Sequence, residues 1–135
     1  MSEQYGWIGV DLDKTLAEYE SWVSDTHIGK PIPNMVKIVK EHLSAGDEVR
    51  VFTARMCRNS EQVSKAIYDW TLEHIGVGLI ATNVKDFEMK LLYDDRAVGV
   101  VPNTGRLLHE NSYATGYDYG RLDGYKECLN KYGDI

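Results

Sequence analysis

Short apolar runs and amphipathic stretches alternate along the chain, and polar or turn-forming residues bound each run. Apolar runs of this length are typical of buried β-strands. Five segments have the pattern: Trp7–Val10, Glu48–Thr53, Leu79–Thr82, Lys90–Tyr93 and Ala97–Val101.

Two of the intervening segments carry apolar residues at helical spacing. The first follows Pro33 and stops at Gly46, and the second follows a cap at Asn59 or Ser60 and stops at Gly76. Their apolar positions are Met35, Val36, Ile38, Val39 and Leu43 in the first, and Val63, Ile67 and Trp70 in the second. We therefore expect two amphipathic helices.

Strands that alternate with helices predict an α/β fold of Rossmann-like type, a mainly parallel sheet of about five strands covered on both faces. Residues 17–33 read as a loop, in which Glu18–Val23 alternate well enough for a small hairpin or flap. The whole chain, 1–135, is predicted to be one domain with a core at 1–110.

Polar side chains follow three of the predicted strands where each strand ends. Asp11 and Asp13 follow the first strand, Thr53 and Arg55 end the second, and Asp94 and Asp95 follow the fourth. Because parallel strands present their carboxyl ends at one edge of the sheet, these side chains are expected to form a site.

Composition narrows the classes of partner. The net charge of −6 disfavours nucleic acid as a partner, although it does not exclude a local basic patch. The apolar runs are too short to span a membrane, and the polar N-terminus is unlike a signal peptide. Cys57 and Cys128 lack metal-binding spacing, so we expect two free thiols in a cytoplasmic protein.

The three polar clusters together fit phosphoryl transfer. The carboxylate of Asp11 is placed to attack phosphorus, and Asp13 to act as general acid and base. Mg²⁺ would offset the repulsion between Asp11 and a phosphate, with Asp94 as a further oxygen ligand and Asp95 in direct or water-mediated support. Thr53 offers a hydroxyl and a backbone amide to the phosphate.

A lysine is expected to supply a positive charge to the transferring group. Lys85 is the first choice and Lys90 the substitute. Arg55 is expected either to grip the phosphate or to pair with Asp94 or Asp95.

These segments resemble the four motifs of the haloacid dehalogenase (HAD) superfamily, in the order of that family. The matching segments are Asp11–Leu16, Val51–Arg55, a lysine near Lys85, and Leu91–Arg96. The resemblance implies a Rossmann-like three-layer sandwich, a requirement for Mg²⁺ and phosphohydrolase activity. It also implies that Asp11 is the nucleophile, that Asp13 is the acid/base and a further metal ligand, and that Thr53 and Lys85 bind phosphate.

Residues 28–33 and 94–102 further resemble small bacterial and phage members of this family that have no cap domain. The predicted helices and strands fill the intervals between the motifs, so there is no room for a cap. Lys14 stands where the family usually has glycine. We expect this lysine to fit if its backbone is not left-handed and to add a substrate-binding charge.

The last segment, 111–135, is rich in tyrosine and glycine, and Leu122, Tyr125, Leu129 and Tyr132 fall at helical spacing. It is predicted to be a helical tail that packs on the sheet edge, mediates a homo-oligomer or covers a neighbour's site.

Three functions remain open at this point. The first is a magnesium-dependent phosphatase acting on a small phosphorylated substrate through an aspartyl phosphate. The others are a catalytically idle binding or regulatory domain and a nucleic-acid end phosphatase.

Overall fold

The computed structural model of this chain describes residues 6–109. They fall into two compact units that divide between Asp95 and Arg96. In the first unit the strands and helices are β1 Trp7–Val10, α1 Pro33–Ser44, β2 Glu48–Phe52, a 3-10 helix Ala54–Cys57, α2 Ser60–His74, β3 Ala81–Thr82 and β4 Met89–Tyr93.

The sheet has four strands in the order β3-β2-β1-β4, and every pair is parallel. The predicted α/β fold of Rossmann-like type is therefore confirmed for the described residues. Since β1 lies between β2 and β4, the residues that follow these three strands meet at one edge.

Both helices pack on the same face of the sheet. Ile8 and Val10 of β1 form one apolar cluster with Val39 of α1 and with Val63 and Ile67 of α2. Each of these side chains is almost completely buried. Removing such residues from water is what stabilises the amphipathic helices, which would be marginal in isolation.

The helix boundaries follow from their sequences. Pro33 begins α1, where its missing N–H costs nothing. Gly76 follows the end of α2 with a positive φ of 100°. Asn59 precedes α2 as expected, but its side chain does not cap the helix and donates instead to the carboxylate of Asp25.

Trp7 occupies the other face of β1 and is fully buried. Its indole N–H donates to Asp86 Oδ1 at 2.8 Å, and the Arg50 guanidinium lies 4.7 Å from its ring centre. No helix of residues 6–95 lies on this face, so the predicted third layer is not confirmed.

Two details of the strand prediction were wrong. The third strand is Ala81–Thr82 rather than Leu79–Thr82, because the Leu79 amide donates to the Thr71 hydroxyl at the end of α2. In the second unit, residues 97–101 form no strand: Val100 makes only an isolated antiparallel bridge to Leu107. A turn at Asn103, with φ of 65°, folds this segment back on itself.

Glu18–Val23 form no hairpin and belong to an irregular loop. Among the described residues, no helix is long and apolar enough to cross a membrane. Cys57 is an exposed free thiol, as expected. Cys128 and the predicted tail at 111–135 lie outside the described residues.

Candidate active site

Three carboxylates meet at the carboxyl edge of the sheet. Val10 pairs with Tyr93, and the Asp11 amide donates to the Tyr93 carbonyl at 2.8 Å. This register places Asp11 next to Asp94 and Asp95. One carboxylate oxygen from each lies within 4.8 Å of the other two, which is close enough to share one cation.

The Thr15 hydroxyl lies between the two sequence-distant parts of this cluster. Its Oγ1 is 3.1 Å from Asp95 Oδ1 and 3.4 Å from Asp11 Oδ2, and it accepts the Asp95 amide at 3.1 Å. Thr15 is buried because residues 12–17 form a tight turn in which the Leu12 carbonyl accepts three amides. Sequence reasoning did not assign this residue a role; its position four residues after Asp11 was the available signal.

The surroundings of Asp11 raise the pKa of its carboxyl group. Burial, a hydrogen bond with Asp95 and the charges of Asp94 and Asp95 together raise its pKa from 3.8 to about 7. Ionisation of Asp11 is therefore costly unless a positive charge arrives beside it.

Asp13 is not one of these three carboxylates, and its side chain pairs with Arg55. The guanidinium donates Nε to Asp13 Oδ2 and Nη2 to Asp13 Oδ1, both at 2.9 Å. Arg55 therefore forms a bidentate pair with Asp13, a partner that the sequence prediction did not include. Such a pair fixes the carboxylate in direction as well as in position.

The same guanidinium holds the loop above it. Arg55 Nη1 donates to the main-chain carbonyls of Asp25 at 2.9 Å and His27 at 2.6 Å. The Arg55 side chain is only 14% exposed, so this is a largely enclosed junction between Asp13 and residues 25–27.

Thr53 is buried at the end of β2, on the same edge as Asp11. Its amide donates to the Thr82 carbonyl at 2.9 Å, and its hydroxyl accepts the Arg55 amide at 3.1 Å. The Thr53 amide, which we expected to bind a phosphoryl oxygen, is thus hydrogen-bonded within the sheet. The Thr53 hydroxyl can still donate its hydrogen to a phosphate.

The two lysine candidates, Lys85 and Lys90, differ in their relation to β4: Lys85 precedes the strand and Lys90 is part of it. Lys85 is exposed and lies three residues beyond the end of β3, next to Asp86, which accepts from the Trp7 indole. Lys90 lies in the irregular start of β4, and its Nζ is 3.4 Å from Asp47 Oδ1, just before β2. Of these two, only Lys85 follows a strand end, so the structure does not bring Lys90 to the cluster.

Lys14 adopts a left-handed backbone, so the condition under which we expected a lysine to fit is not met. Its φ is 72°, in the left-handed region, and its Nζ lies 5.9 Å from the Tyr19 ring centre. A side chain larger than that of glycine is strained in this backbone conformation.

Replacing Lys14 with glycine should therefore stabilise the protein. We expect Lys14→Gly to raise the free energy of unfolding by about 0.5–1 kcal/mol over Lys14→Ala, which loses the same ammonium but keeps the strained Cβ. Urea unfolding of the two variants measures the difference. Equal stabilities would show that the backbone at this position carries no strain.

A similar solved structure is that of a conserved protein coded by a locus from Bacteroides thetaiotaomicron. The likeness has a TM-score of 0.50 and 23% identity, and it covers 87% of this chain and 97% of that chain. At this level of identity it supports the fold alone. No protein-family model matches the sequence, and no curated protein matches it.

Proposed function

We propose that this protein is a magnesium-dependent hydrolase of phosphomonoesters that acts through an aspartyl phosphate on Asp11. The main support for this proposal is that the carboxylates of Asp11, Asp94 and Asp95 lie together at the carboxyl edge of the sheet. The likeness of four segments to HAD motifs supports the same proposal, since those segments contain Asp11, Asp13, Thr53 and Asp94.

The donor set suits Mg²⁺. It consists of hard carboxylate oxygens, which this ion prefers. Burial, a hydrogen bond with Asp95 and the charges of Asp94 and Asp95 raise the pKa of Asp11 to about 7, so a cation beside it would favour the ionised form. Asp11, Asp94 and Asp95 would hold the ion, which when bound would neutralise charge on the nucleophile and the phosphate.

The reaction has two steps. In the first, an Asp11 oxygen attacks phosphorus, the ester P–O bond breaks, and Asp13 gives its proton to the departing alcohol. In the second, water attacks the aspartyl phosphate, Asp13 takes the water proton, and the bond between phosphorus and Asp11 breaks. Phosphate and the free enzyme result.

The phosphate needs donors of its own. The Thr53 hydroxyl and the ammonium of Lys85 serve this purpose in the proposal, from the ends of β2 and β3. Lys14, which lies between Asp13 and Thr15 in the sequence, adds a further positive charge. These cations offset the negative charge of the carboxylate cluster as the anionic substrate approaches.

Phosphate release from 4-nitrophenyl phosphate tests the proposal. The protein is assayed with Mg²⁺, with excess chelator, and with Mg²⁺ restored. Activity that depends reversibly on the ion supports a phosphatase. A protein that binds Mg²⁺ but hydrolyses neither this ester nor a panel of natural phosphomonoesters would contradict it and favour the idle binding domain.

Arg55 has a positioning role in this scheme. Both Asp13 oxygens accept hydrogen bonds from the guanidinium, so proton transfer by Asp13 requires one of these bonds to break. The other bond then keeps the carboxyl group in its orientation. A lysine keeps the charge but lacks the planar fork. We expect Arg55→Lys to lower kcat by about a hundredfold and to change KM far less.

Arg58→Lys is the matched control for Arg55→Lys. Arg58 donates to the carboxylate of Asp25, which belongs to the loop that Arg55 also contacts. The Arg58 side chain is 66% exposed. Steady-state kinetics should show near wild-type kcat for this variant. Equal losses in the two variants would mean that loop anchoring, rather than the aim of Asp13, explains the effect.

A further inference from the structure

A cavity of about 590 Å³ lies beneath the loop of residues 18–31, with Arg55 in its wall. The guanidinium of Arg55 also bonds to Asp13, so the same side chain lines the cavity and contacts the candidate acid/base. The size is that of a small-molecule site.

The base of this loop is firmly closed. Ala17 and Pro31 form an antiparallel bridge, and the Glu18 amide donates to the Lys30 carbonyl at 2.8 Å. A Cβ at Gly29 would collide with the main-chain oxygen of Glu18. The two ends of the loop are therefore held together by main-chain contacts, which fix the loop over the cavity.

Aromatic side chains from two elements line the cavity. Tyr19 comes from the loop, and Trp70 and His74 come from the last turns of α2, with ring centres 4.8 Å apart. The Trp70 indole donates to the Gly29 carbonyl at 3.0 Å, which fixes the orientation of its ring. Such walls offer ring faces on which a flat, unsaturated ligand can stack.

The charges at the cavity select against a second anionic group. Glu18 and Glu20 line it with carboxylates, and the guanidinium of Arg55 is already paired with Asp13. Lys30 is the remaining cation of the lining. Carboxylates accept hydrogen bonds, so a neutral ligand with N–H or O–H donors suits this rim.

We infer that this cavity binds the organic part of the substrate, and that this part is a neutral heteroaromatic group with hydrogen-bond donors, as in a nucleoside monophosphate. The inference rests on the proposed function for the position of the phosphate. Binding of the organic part does not require hydrolysis, so the two can be tested apart.

Adenosine binding to the Asp11→Asn protein is the direct test, measured by titration calorimetry without Mg²⁺. We expect saturable binding, and a Kd that rises about tenfold or more in Asp11→Asn with Tyr19→Leu. Tyr19→Phe keeps the ring and should restore binding. Trp22→Leu is the matched control, because Trp22 belongs to the same loop, is 61% exposed and does not line the cavity.

The outcomes separate the two proposals. Absence of adenosine binding up to millimolar concentration, or binding that Tyr19→Leu leaves unchanged, would overturn the cavity assignment. Ribose 5-phosphate hydrolysed as efficiently as adenosine 5′-monophosphate would also overturn it. Adenosine binding by a protein without phosphatase activity would support the cavity and reject the proposed function.

Discussion

Asp11→Asn is expected to lower the rate of phosphate release from 4-nitrophenyl phosphate by at least a thousandfold. An amide oxygen is a poor nucleophile for phosphorus, and the substitution also removes one of the three carboxylates that would hold the metal. The change is nearly isosteric, so the fold should persist. The measurement is steady-state release with saturating Mg²⁺.

Asp13→Asn distinguishes a covalent intermediate from direct attack by water. 4-Nitrophenolate leaves without protonation, so the first step should proceed in this variant, while breakdown of the aspartyl phosphate loses its general base. We expect a burst of about one nitrophenolate per active site, followed by slow turnover. A linear time course without a burst, together with wild-type turnover in Asp11→Asn, would reject Asp11 as the nucleophile.

The second large effect concerns stability and pH. The pKa of Asp11 is about 7 in the folded protein and 3.8 in the reference state. Between these values the folded chain binds more protons than the unfolded chain, so stability falls as the pH rises. The contribution of Asp11 is fully present below pH 3.8 and is lost as the pH rises through about 7.

A divalent cation should reverse this loss. At pH 8 we expect Mg²⁺ to raise the Tm of the wild-type protein, and at pH 5 to raise it much less, because protons compete for Asp11. Asp11→Asn should unfold at a higher temperature than wild type at pH 8 without metal, and it should respond weakly to Mg²⁺. Thermal unfolding followed by circular dichroism measures both effects.

Asp69→Asn controls for the loss of one negative charge. Asp69 pairs with Lys65 on the exposed surface of α2, remote in sequence from the cluster. Its Mg²⁺ response should match that of wild type at both pH values. If Asp11→Asn and wild type responded equally to Mg²⁺ at pH 8, Asp11 would not be part of a metal site.

Much of the sheet was predictable from apolar runs alone. Because parallel strands share a carboxyl edge, the sequence alone predicts that Asp11 and Asp94 lie close together. The same rule disfavours Lys90, which begins a strand and so belongs at the amino end. A role for Lys90 in phosphate binding is therefore at odds with the strand predicted at Lys90–Tyr93.

The loop contacts were not predictable in the same way. The sequence offers Arg55 several acidic partners. Its pairing with Asp13 depends on the positions of the Asp25 and His27 carbonyls, which accept from the same guanidinium. Thr15 acquires its position from the turn at Leu12–Ala17. Lys14 takes a left-handed backbone in that turn, which apolar periodicity does not reveal.

The carboxylate cluster joins the first strand of the sheet to the last one along the chain. Asp11 and Asp95 are 84 residues apart in sequence, and the Thr15 hydroxyl reaches Asp95 only when β4 has docked beside β1. A cation held there has no binding site on a nascent or partly folded chain. A bound cation therefore stabilises only the completed sheet. We expect it to slow unfolding without speeding folding, since early folding depends on the apolar cluster under α1 and α2.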